Sequence, residues 1–281
     1  MGAATPTTTG AHVWGARVSY GAGPFTTCEG TPPVEVAQPG DLRAVTMNLR
    51  CLVDDWDARL PVLADGLAAE DADVYGFQEA CAGGGRDNLN ELVSALSSRT
   101  GRAYEVLRTV THRSWSDTYD EGLALITPHR IGASQVVDLP AGVFPRKSIL
   151  ARVVGPQGPF VLATTHLDHL NGDTRSAQAA ALRDAALAFV LPGEGLIVSG
   201  DMNEGPGGGV QAAFAGASFL DLGADAGPTF PASGPTERID QLWLRAASSG
   251  FDPEIAARIL TSDVGGVLAS DHVGVSVRIG R

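Results

Sequence analysis

The chain has 281 residues, 44% of them hydrophobic and 19% charged, and its formal net charge is −12, from 20 Lys and Arg against 32 Asp and Glu. This length and composition exclude a wholly disordered chain and suit one large domain or two small ones. Proteins that neutralise many phosphates usually carry a basic surface. The acidic balance therefore argues against tight, non-specific binding of nucleic acid and favours a small substrate.

Residues 1–40 differ in composition from the rest of the chain. They are rich in Gly, Thr and Pro, with one strand-like patch at 13–20, and predict an extension that is partly disordered or packed on the main domain, 41–281. No apolar run approaches the roughly 18 residues that a membrane-spanning helix needs. Met1 to Thr7 lacks a basic residue followed by an apolar stretch, which predicts a cytoplasmic protein, or a secreted one if a leader has been trimmed.

The chain has three cysteines, Cys28, Cys51 and Cys81. Their odd number and wide spacing do not fit a disulfide scaffold or a CxxC zinc site. We expect buried, unpaired thiols, with a single disulfide as the alternative.

Short apolar runs and helical stretches alternate from Leu42 onward. Residues 42–47 predict a buried strand that ends at Asn48. Residues 55–70 have a helical apolar period, and Pro61 predicts that the regular helix begins near it. The other predicted elements are a strand at 73–77 that stops at Gln78 and Glu79, a helix at 87–99 closed by Gly101, strands at 103–110, 122–127, 147–154 and 159–165, a helix at 173–190, and strands at 196–199, 241–244 and 273–277. Irregular alternation of this kind is typical of a sheet sandwich flanked by helices.

Polar side chains stand where these apolar runs finish. They are Asn48, Glu79, His166, Asp201, Asn203, Asp240, Asp271 and His272. Each alone is an ordinary turn or cap residue. When several buried strands end along one edge, however, their terminal side chains converge on one pocket. Carboxylates, amides and imidazoles there supply oxygen ligands for a hard cation, a base for water and donors for phosphate oxygens.

Six motifs in chain order carry a family resemblance. They are Asn48-Leu49-Arg50, Gln78-Glu79, Thr165-His166-Leu167, Gly200-Asp201-Met202-Asn203, Arg238-Ile239-Asp240 and Ser270-Asp271-His272. Together they resemble the endonuclease/exonuclease/phosphatase superfamily, whose deoxyribonuclease-I-like fold would span residues 42–279. The resemblance implies an α/β, four-layer sandwich of two packed, mainly antiparallel β-sheets flanked by helices. The form of the histidine motif resembles the deoxyribonuclease, sphingomyelinase and phosphatase branches more than the abasic-site endonucleases.

The resemblance implies a Mg²⁺ or Mn²⁺ site. Glu79 would be the main ligand, Asn48 would lie close to both metal and phosphate, and Asp271 would contribute to the metal or water network. The metal would polarise a phosphate oxygen and offset the charge of the transition state.

The resemblance also implies catalytic and phosphate-binding roles. Asp201 would orient or deprotonate the attacking water, while Asn203 and His166 would bind phosphate oxygens. His272 would contact phosphate or act as a base, with its ring fixed by Asp240, since a carboxylate partner selects the imidazole tautomer.

Three further residues are candidates for the surroundings of the site. Arg146 resembles an arginine that approaches phosphate in the deoxyribonuclease branch, and a solvated strand edge is the alternative. Arg175 is interpreted as an anchor for helix 173–190. Glu105 is a candidate to buttress His166.

Four functions remain open on this basis. The first is a divalent-metal-dependent phosphodiesterase or phosphomonoesterase acting on a small metabolite or lipid headgroup. The second is a Mg²⁺-dependent nuclease, for which a local basic groove would be the signature. The others are the same fold recruited to another reaction and a non-catalytic binding module. The complete motif set favours catalysis, and the charge favours a small phosphorylated substrate as the partner.

Overall fold

The computed structural model describes residues 40–114, 117–245, 251–254 and 256–280. The predicted N-terminal extension, with its strand-like patch, lies outside the described residues. In chain order the elements are β1 (Leu42–Asn48), α1 (Trp56–Glu70), β2 (Val74–Gly83), β3 (Arg86–Asp87), α2 (Asn88–Thr100), β4 (Glu105–Arg113), β5 (Asp120–Thr127), β6 (Arg130–Asp138), β7 (Lys147–Gly155), β8 (Gly158–His166), α3 (Gly172–Phe189), β9 (Gly195–Asp201), α4 (Gly209–Ala215), β10 (Leu220–Asp221), β11 (Asp240–Arg245), β12 (Asp252–Pro253), β13 (Ala257–Ile259) and β14 (Gly274–Gly280).

The strands form two sheets. The first has the order β12-β14-β1-β2-β5-β4, with β13 beside β14 and β3 beside β2, and the second has the order β10-β11-β9-β8-β7-β6. Among the strands of the described residues, each sheet contains one parallel pair, β1 with β2 and β8 with β9, and the other pairs are antiparallel. Parallel neighbours need a crossover, which α1 and α3 supply. The predicted mainly antiparallel sandwich is confirmed.

Three apolar clusters separate four layers. Leu125 and Phe160 belong to the cluster between the two sheets. Leu63 of α1 packs with Phe77 on the outer face of the first sheet. Trp243 packs on the outer face of the second sheet, in the cluster that also holds α3 and α4. The order of layers is therefore helices, sheet, sheet, helices, as the resemblance implied.

The three long predicted helices are confirmed, with one difference in where α1 begins. The Asp55 carboxylate accepts a hydrogen bond from the Ala58 N–H, and this cap starts the helix at Trp56, so Pro61 lies inside it. The expected start near Pro61 was wrong because the capping residue, and not the proline, defines the first turn. Gly101 ends α2 with a left-handed φ of 69°, as predicted. Among the described helices, none combines the length and the apolar character needed to cross a membrane.

Two strand predictions need correction. β2 continues to Gly83 instead of stopping at Glu79, because a bulge between Phe77 and Ala80 absorbs Glu79 without ending the ladder. β6 was not predicted at all. It is an edge strand with exposed or half-buried side chains throughout, so it lacks the apolar signal on which strand prediction depends.

Cys51 and Cys81 form a disulfide, with 4.9 Å between their Cα atoms. The expectation of unpaired thiols was wrong for these two residues. Cys51 lies just beyond β1 and Cys81 lies in β2, so the parallel pairing of these strands brings them together although 30 residues separate them in sequence. Cys28 lies outside the described residues.

Candidate active site

The two parallel strand pairs bring their C-terminal ends to one end of the sandwich. Asn48 ends β1 and His166 ends β8. Asp201 ends β9 and is the register partner of His166. The Asn48 amide donates to Asp201 across the two sheets, with 3.2 Å between Nδ2 and Oδ2. The two sheet edges therefore form one site.

Other site residues come from the beginnings of strands. Asp240 is the first residue of β11 and lies opposite Asp201. Asp271 and His272 come just before β14, which pairs antiparallel with β1. We expected these three residues to follow apolar strands, and this was wrong: they stand at or just before the beginnings of strands. An antiparallel strand begins at the edge where its neighbour ends, so these residues still reach the same site.

Asn48 is the centre of the cluster. Its Nδ2 lies 3.0 Å from Glu79 Oε1, 3.2 Å from Asp201 Oδ2 and 3.5 Å from His272 Nε2. Its Oδ1 accepts a hydrogen bond from the Arg50 N–H at 2.9 Å. Asn48 is fully buried, so the amide holds the buried carboxylate of Asp201 close to the half-buried carboxylate of Glu79.

Glu79 has a backbone conformation that points its side chain into the site. Its φ is 51°, in the left-handed region that a non-glycine residue adopts only with local support. The Glu79 carbonyl accepts hydrogen bonds from Asn88 Nδ2 at 3.1 Å and from the Cys51 N–H at 3.2 Å. Asn88 Oδ1 in turn accepts from the Cys81 N–H. The buried Asn88 thus satisfies the ladder groups that the bulge leaves unpaired.

Asp201 and Asn203 lie on a tight turn after β9. Gly200 has φ 147°, and a Cβ there would lie 2.1 Å from the carbonyl oxygen of Thr165, so only glycine allows this approach. The Asn203 N–H donates to Asp201 Oδ1 at 2.9 Å, which fixes the carboxylate. Asn203 Nδ2 donates to the Leu167 carbonyl at 3.0 Å, so one of its two amide hydrogens is already engaged.

His272 is held between two carboxylates. Its Nδ1 lies 2.8 Å from Asp240 Oδ2, and its Nε2 lies 3.7 Å from Asp201 Oδ2. The ring of Phe230 packs against the imidazole, with 4.8 Å between ring centroids. Because Nδ1 donates to Asp240, Nε2 is the nitrogen that faces the site.

A buried arginine joins the loop after β1 to the segment before β14. Arg59 donates to five backbone carbonyls, those of Leu49, Arg50, Cys51, Val53 and Ala269. Arg50 forms an ion pair with Asp271. Arg50 therefore holds the carboxylate of Asp271 at the rim of the site.

Arg146 is buried, with 5% of its surface exposed. Its Nη2 lies 3.4 Å from His169 Nδ1, and within the described residues its Nε has no hydrogen-bond partner. Burial lowers the pKa of Arg146, while the charges of Glu121 and Asp201 raise it. The alternative of a solvated strand edge is therefore wrong.

Sequence reasoning missed Glu121. It lies near the start of β5, where its carboxylate shares a cluster with Glu79 and His166 whose ligand atoms lie within 4.8 Å of one another. Glu105, the expected neighbour of His166, pairs with Thr127 at the opposite end of β5 and accepts from the Ile131 N–H. The sequence signal for Glu121 would have been a carboxylate at the beginning of an apolar run. Because β5 is antiparallel to β2, the beginning of β5 lies at the same edge as the end of β2.

Arg175 connects α3 to the loops that carry the site. Its Nη1 donates to the Asp168 carbonyl at 2.8 Å, and its Nε lies 3.3 Å from Glu204 Oε1. These contacts join the helix to the segments after β8 and β9, in the manner expected of an anchor.

The sequence model of the Endonuclease/Exonuclease/phosphatase family matches residues 45–272 of this chain. The matched range includes all eight polar residues that the sequence singled out, from Asn48 to His272. The chain belongs to this family. A search of curated proteins finds no match to the sequence.

Several solved structures of the endonuclease/exonuclease/phosphatase family are similar in fold. The family protein from Leptotrichia buccalis superposes with a TM-score of 0.73 at 18% identity, over 85% of this chain and 99% of that one. The mannosyl-6-phosphatase of Bacteroides thetaiotaomicron gives 0.68 at 20% identity, over 85% and 99%. D. rerio TDP2 complexed with a single-strand DNA product gives 0.67 at 18% identity, over 86% and 99%. At these identities the likeness shows the shared fold.

In this member of the endonuclease/exonuclease/phosphatase family, burial dominates the electrostatics of the site. Burial raises the pKa of Glu79, and the charge of Asp271 adds to the rise. Burial also raises the pKa of Asp201 to about 7, although His272 acts in the opposite direction. Carboxylates that burial makes reluctant to ionise are those that a divalent cation stabilises most. The oxygen donors of this buried cluster therefore fit Mg²⁺ or Mn²⁺.

The two histidines of the site have opposite electrostatic environments. Burial lowers the pKa of His166 well below its usual value, and the charge of Arg146 lowers it further. Burial also acts against protonation of His272, but Asp240 and Asp201 outweigh it and raise its pKa to about 10. The surroundings thus favour the neutral form of His166 and the protonated form of His272.

Proposed function

We propose that this chain is a divalent-metal-dependent phosphoesterase that hydrolyses a phosphodiester or phosphomonoester of a small metabolite or lipid headgroup by attack of water. One observation carries the proposal. A single amide, Asn48 Nδ2, lies within 3.5 Å of Glu79, Asp201 and His272. The groups suited to bind a cation, activate water and neutralise a phosphate thus share one buried cluster.

Glu79 would hold the metal, together with Asn48 and Asp271. The bound ion supplies a positive charge that polarises a phosphate oxygen and offsets charge in the transition state. Glu79 suits this role because the bulge fixes its backbone, so its carboxylate need not reorganise. Asp271 suits a supporting role, because its pairing with Arg50 keeps it at the rim of the cluster.

Asp201 would position the attacking water and accept its proton. The carboxylate is 2% exposed and lies 3.5 Å from His166 Nε2 and 3.7 Å from His272 Nε2. A pKa raised to about 7 makes a carboxylate a stronger base than an exposed one while leaving a useful ionised fraction near neutral pH.

His272 would donate from Nε2 to a phosphate oxygen. Its bond to Asp240 selects the orientation of the ring and stabilises the imidazolium. Arg146, His166 and Asn203 would supply the other donors to the phosphate. Arg146 supports this assignment because a buried guanidinium with an unpartnered Nε is costly unless an anion binds it.

A small substrate is preferred to a polymer on electrostatic grounds. The formal charge of −12 repels a long polyanion. One structural neighbour is named a mannosyl-6-phosphatase and another was solved with a DNA product, and at 18–20% identity neither name decides the substrate of this chain.

We also propose that the protein works in an oxidising compartment. Disulfides persist outside the cytoplasm and are rare within it, so the Cys51–Cys81 bridge supports the secreted alternative over the cytoplasmic one. Alkylation of the unfolded, unreduced protein should then leave Cys51 and Cys81 unlabelled; labelling of both in protein isolated from its native source would contradict this location.

The test of the proposed function is hydrolysis of p-nitrophenyl phosphate, bis-p-nitrophenyl phosphate and plasmid DNA in parallel, with EDTA and then with restored Mg²⁺ or Mn²⁺. We expect chelator-sensitive cleavage of a small ester with the DNA intact. Cleavage that persists in EDTA would overturn the metal assignment. Efficient DNA nicking would replace the small-substrate proposal with the nuclease alternative.

A further inference from the structure

Three stacked rings lie beside the proposed phosphate site. The Phe144 ring is stacked between His112, with ring centroids 4.3 Å apart, and His169, with centroids 6.1 Å apart. His112 Nε2 lies 3.5 Å from Glu121 Oε1, and His169 Nδ1 lies 3.4 Å from Arg146 Nη2. The stack is therefore in contact with the site at both of its ends.

Asp168 holds the two loops that frame this stack. Its Oδ2 accepts a hydrogen bond from the Val143 N–H at 3.1 Å, and its Oδ1 accepts from the N–H groups of Leu170 and Asn171 at 2.9 and 2.7 Å. A Cβ on Gly142 would lie 2.2 Å from Asp168 Oδ2, so glycine is required for the approach. One buried carboxylate thus holds the backbone of both Val143 and Leu170.

The two residues held in this way expose apolar side chains. Leu170 is 62% exposed and Val143 is 53% exposed, while Phe144 between the histidines is half-buried. We call these three residues the apolar rim. Single exposed apolar residues are common on proteins, but here one carboxylate holds the backbone of two of them beside a buried arginine. Apolar surface rimming a polar pocket is typical of a ligand-binding site.

We propose that the apolar rim binds the alcohol part of the substrate, and that this alcohol is apolar, aryl or alkyl. The inference rests on the proposed function, because it takes the phosphate to lie against Arg146. An ester bound there would place its alcohol near His169, which contacts Arg146 and precedes Leu170 in the chain, and near Phe144, which follows Val143 and stacks on His169. A sugar or a polyol would bury less apolar area against these side chains and would gain less from them.

A soluble ester is the occupant that these features fit. Two exposed aliphatic side chains are too little apolar surface to hold a protein on a bilayer, where stable attachment needs a larger buried area or a second signal. The net charge of −12 also opposes approach to an anionic membrane. The same apolar alcohol could be presented by a lipid, so the experiment includes vesicles.

The experiment measures binding and does not depend on turnover. The Kd values of phenylphosphonate and methylphosphonate are measured by calorimetry with Mg²⁺ present, for the full-length chain, for V143S/L170S and for the control L220S/V264S. Leu220 and Val264 are matched in exposure, at 52% and 63%, and neither lies in the residues described for the site. Each pair removes one leucine and one valine from the surface.

We expect wild type and the control to bind phenylphosphonate about tenfold more tightly than methylphosphonate, because the ring buries apolar area on the rim. V143S/L170S should lose most of this preference while keeping its affinity for methylphosphonate. If V143S/L170S and L220S/V264S lost the preference for phenylphosphonate equally, or if wild type showed no such preference, the inference would be overturned. Phosphonate affinity that is unchanged by Arg146→Met would instead contradict the proposed phosphate site. Flotation of the protein with phosphatidylcholine vesicles, lost in V143S/L170S, would show a lipid to be the source of the alcohol and contradict the soluble ester.

Discussion

Asp240 accepts a hydrogen bond from His272 Nδ1 at 2.8 Å; Asp240 begins β11 of the second sheet, and His272 lies just before β14 of the first. The bond therefore ties β11 of the second sheet to the entry of β14 in the first. It sets both the direction and the charge of the imidazole, since Asp240 is the main group that raises its pKa.

Asp240→Asn should lower kcat by about 10²–10⁴-fold, because a His paired with an amide loses the tautomer and the charge that the carboxylate selects. The pKa of His272, followed by NMR, should fall from about 10 toward 6.5, so the deficit should grow as pH rises across that range. Asp73→Asn is a matched control, since Asp73 pairs with His129 at 2.6 Å at the start of β2, away from the site. Equal losses in both variants would contradict a specific role for Asp240.

The same pKa shift predicts a pH dependence of stability. A histidine whose pKa is higher in the folded state stabilises the fold fully below its unfolded pKa, and this contribution disappears as pH rises through the folded value. The difference in unfolding free energy between wild type and Asp240→Asn should therefore shrink between pH 6.5 and about 10. Urea titrations at several pH values measure it, and a difference that is constant with pH would argue against a charged His272.

Glu79→Gln should abolish metal-dependent turnover and raise the Tm of the metal-free protein. Burial raises the pKa of Glu79, so its ionised form destabilises the metal-free fold at neutral pH. Glu194→Gln is a contrasting control, because it breaks the ion pair with Arg152 and should lower the Tm. Thermal unfolding in EDTA and in Mg²⁺ gives the comparison. A Mg²⁺-induced rise in Tm that survives Glu79→Gln would show that the metal binds elsewhere.

Metal binding should release protons. Because burial raises the pKa values of Glu79 and Asp201, Mg²⁺ competes with protons for the site, and its apparent affinity should fall as pH is lowered. Calorimetric titration in two buffers with different ionisation enthalpies measures the number released. No dependence on buffer near pH 7 would contradict the raised values.

Arg146→Met should lower kcat/KM by about 10²-fold and weaken inhibition by inorganic phosphate, because it removes a buried donor from the proposed phosphate site. Lys147→Met is the control, since Lys147 is the next residue in the chain but pairs with the exposed Asp138 at the end of edge strand β6. Steady-state kinetics with Pi as inhibitor separates the two variants. If Lys147→Met costs as much as Arg146→Met, general surface charge and not a specific contact would explain the loss.

The double variant Cys51→Ser with Cys81→Ser should lower the unfolding free energy by about 3.6 kcal/mol, the loop-closure contribution of a bridge with a sequence separation of 30. It should also weaken Mg²⁺ binding, because loss of the bridge frees the Cys51 backbone, whose N–H donates to the Glu79 carbonyl. Denaturant unfolding and metal titration measure the two effects. Unchanged stability would mean that the bridge adds nothing beyond the pairing of β1 with β2.

The candidate site residues could be selected from sequence because their order along the chain is specific, and the structure brings Asn48, Glu79, Asp201 and His272 together. The spatial arrangement of these residues was harder to predict. Asn48 and Asp201 were expected to lie close together, but the carboxylate of Glu79 enters the cluster through a bulge that no apolar pattern records. Glu121 was missed because it begins a strand instead of ending one. Strand direction is a property of the assembled sheet and is not encoded in the local period of the sequence.

Dependence on strand pairing also explains where the observed fold differs from the predicted elements. α1 and α2 follow local signals, namely an apolar period and caps within a few residues, and both helices are confirmed. β6 depends on pairing with β7 for its existence, and its exposed side chains give no local signal. The disulfide likewise depends on which strands become neighbours, which the spacing of Cys51 and Cys81 does not reveal.

The pairing of β14 with β1 has a consequence for biosynthesis. Leu42 lies opposite Ile279, so the first and last described strands become neighbours only after nearly the whole domain has left the ribosome. His272 enters the cluster with β14. A nascent chain therefore has Asn48, Glu79 and Asp201 long before it has a complete catalytic centre. The proposed phosphoesterase would therefore lack a complete site until β14 has emerged, and the slow closure of so distant a contact adds a further delay.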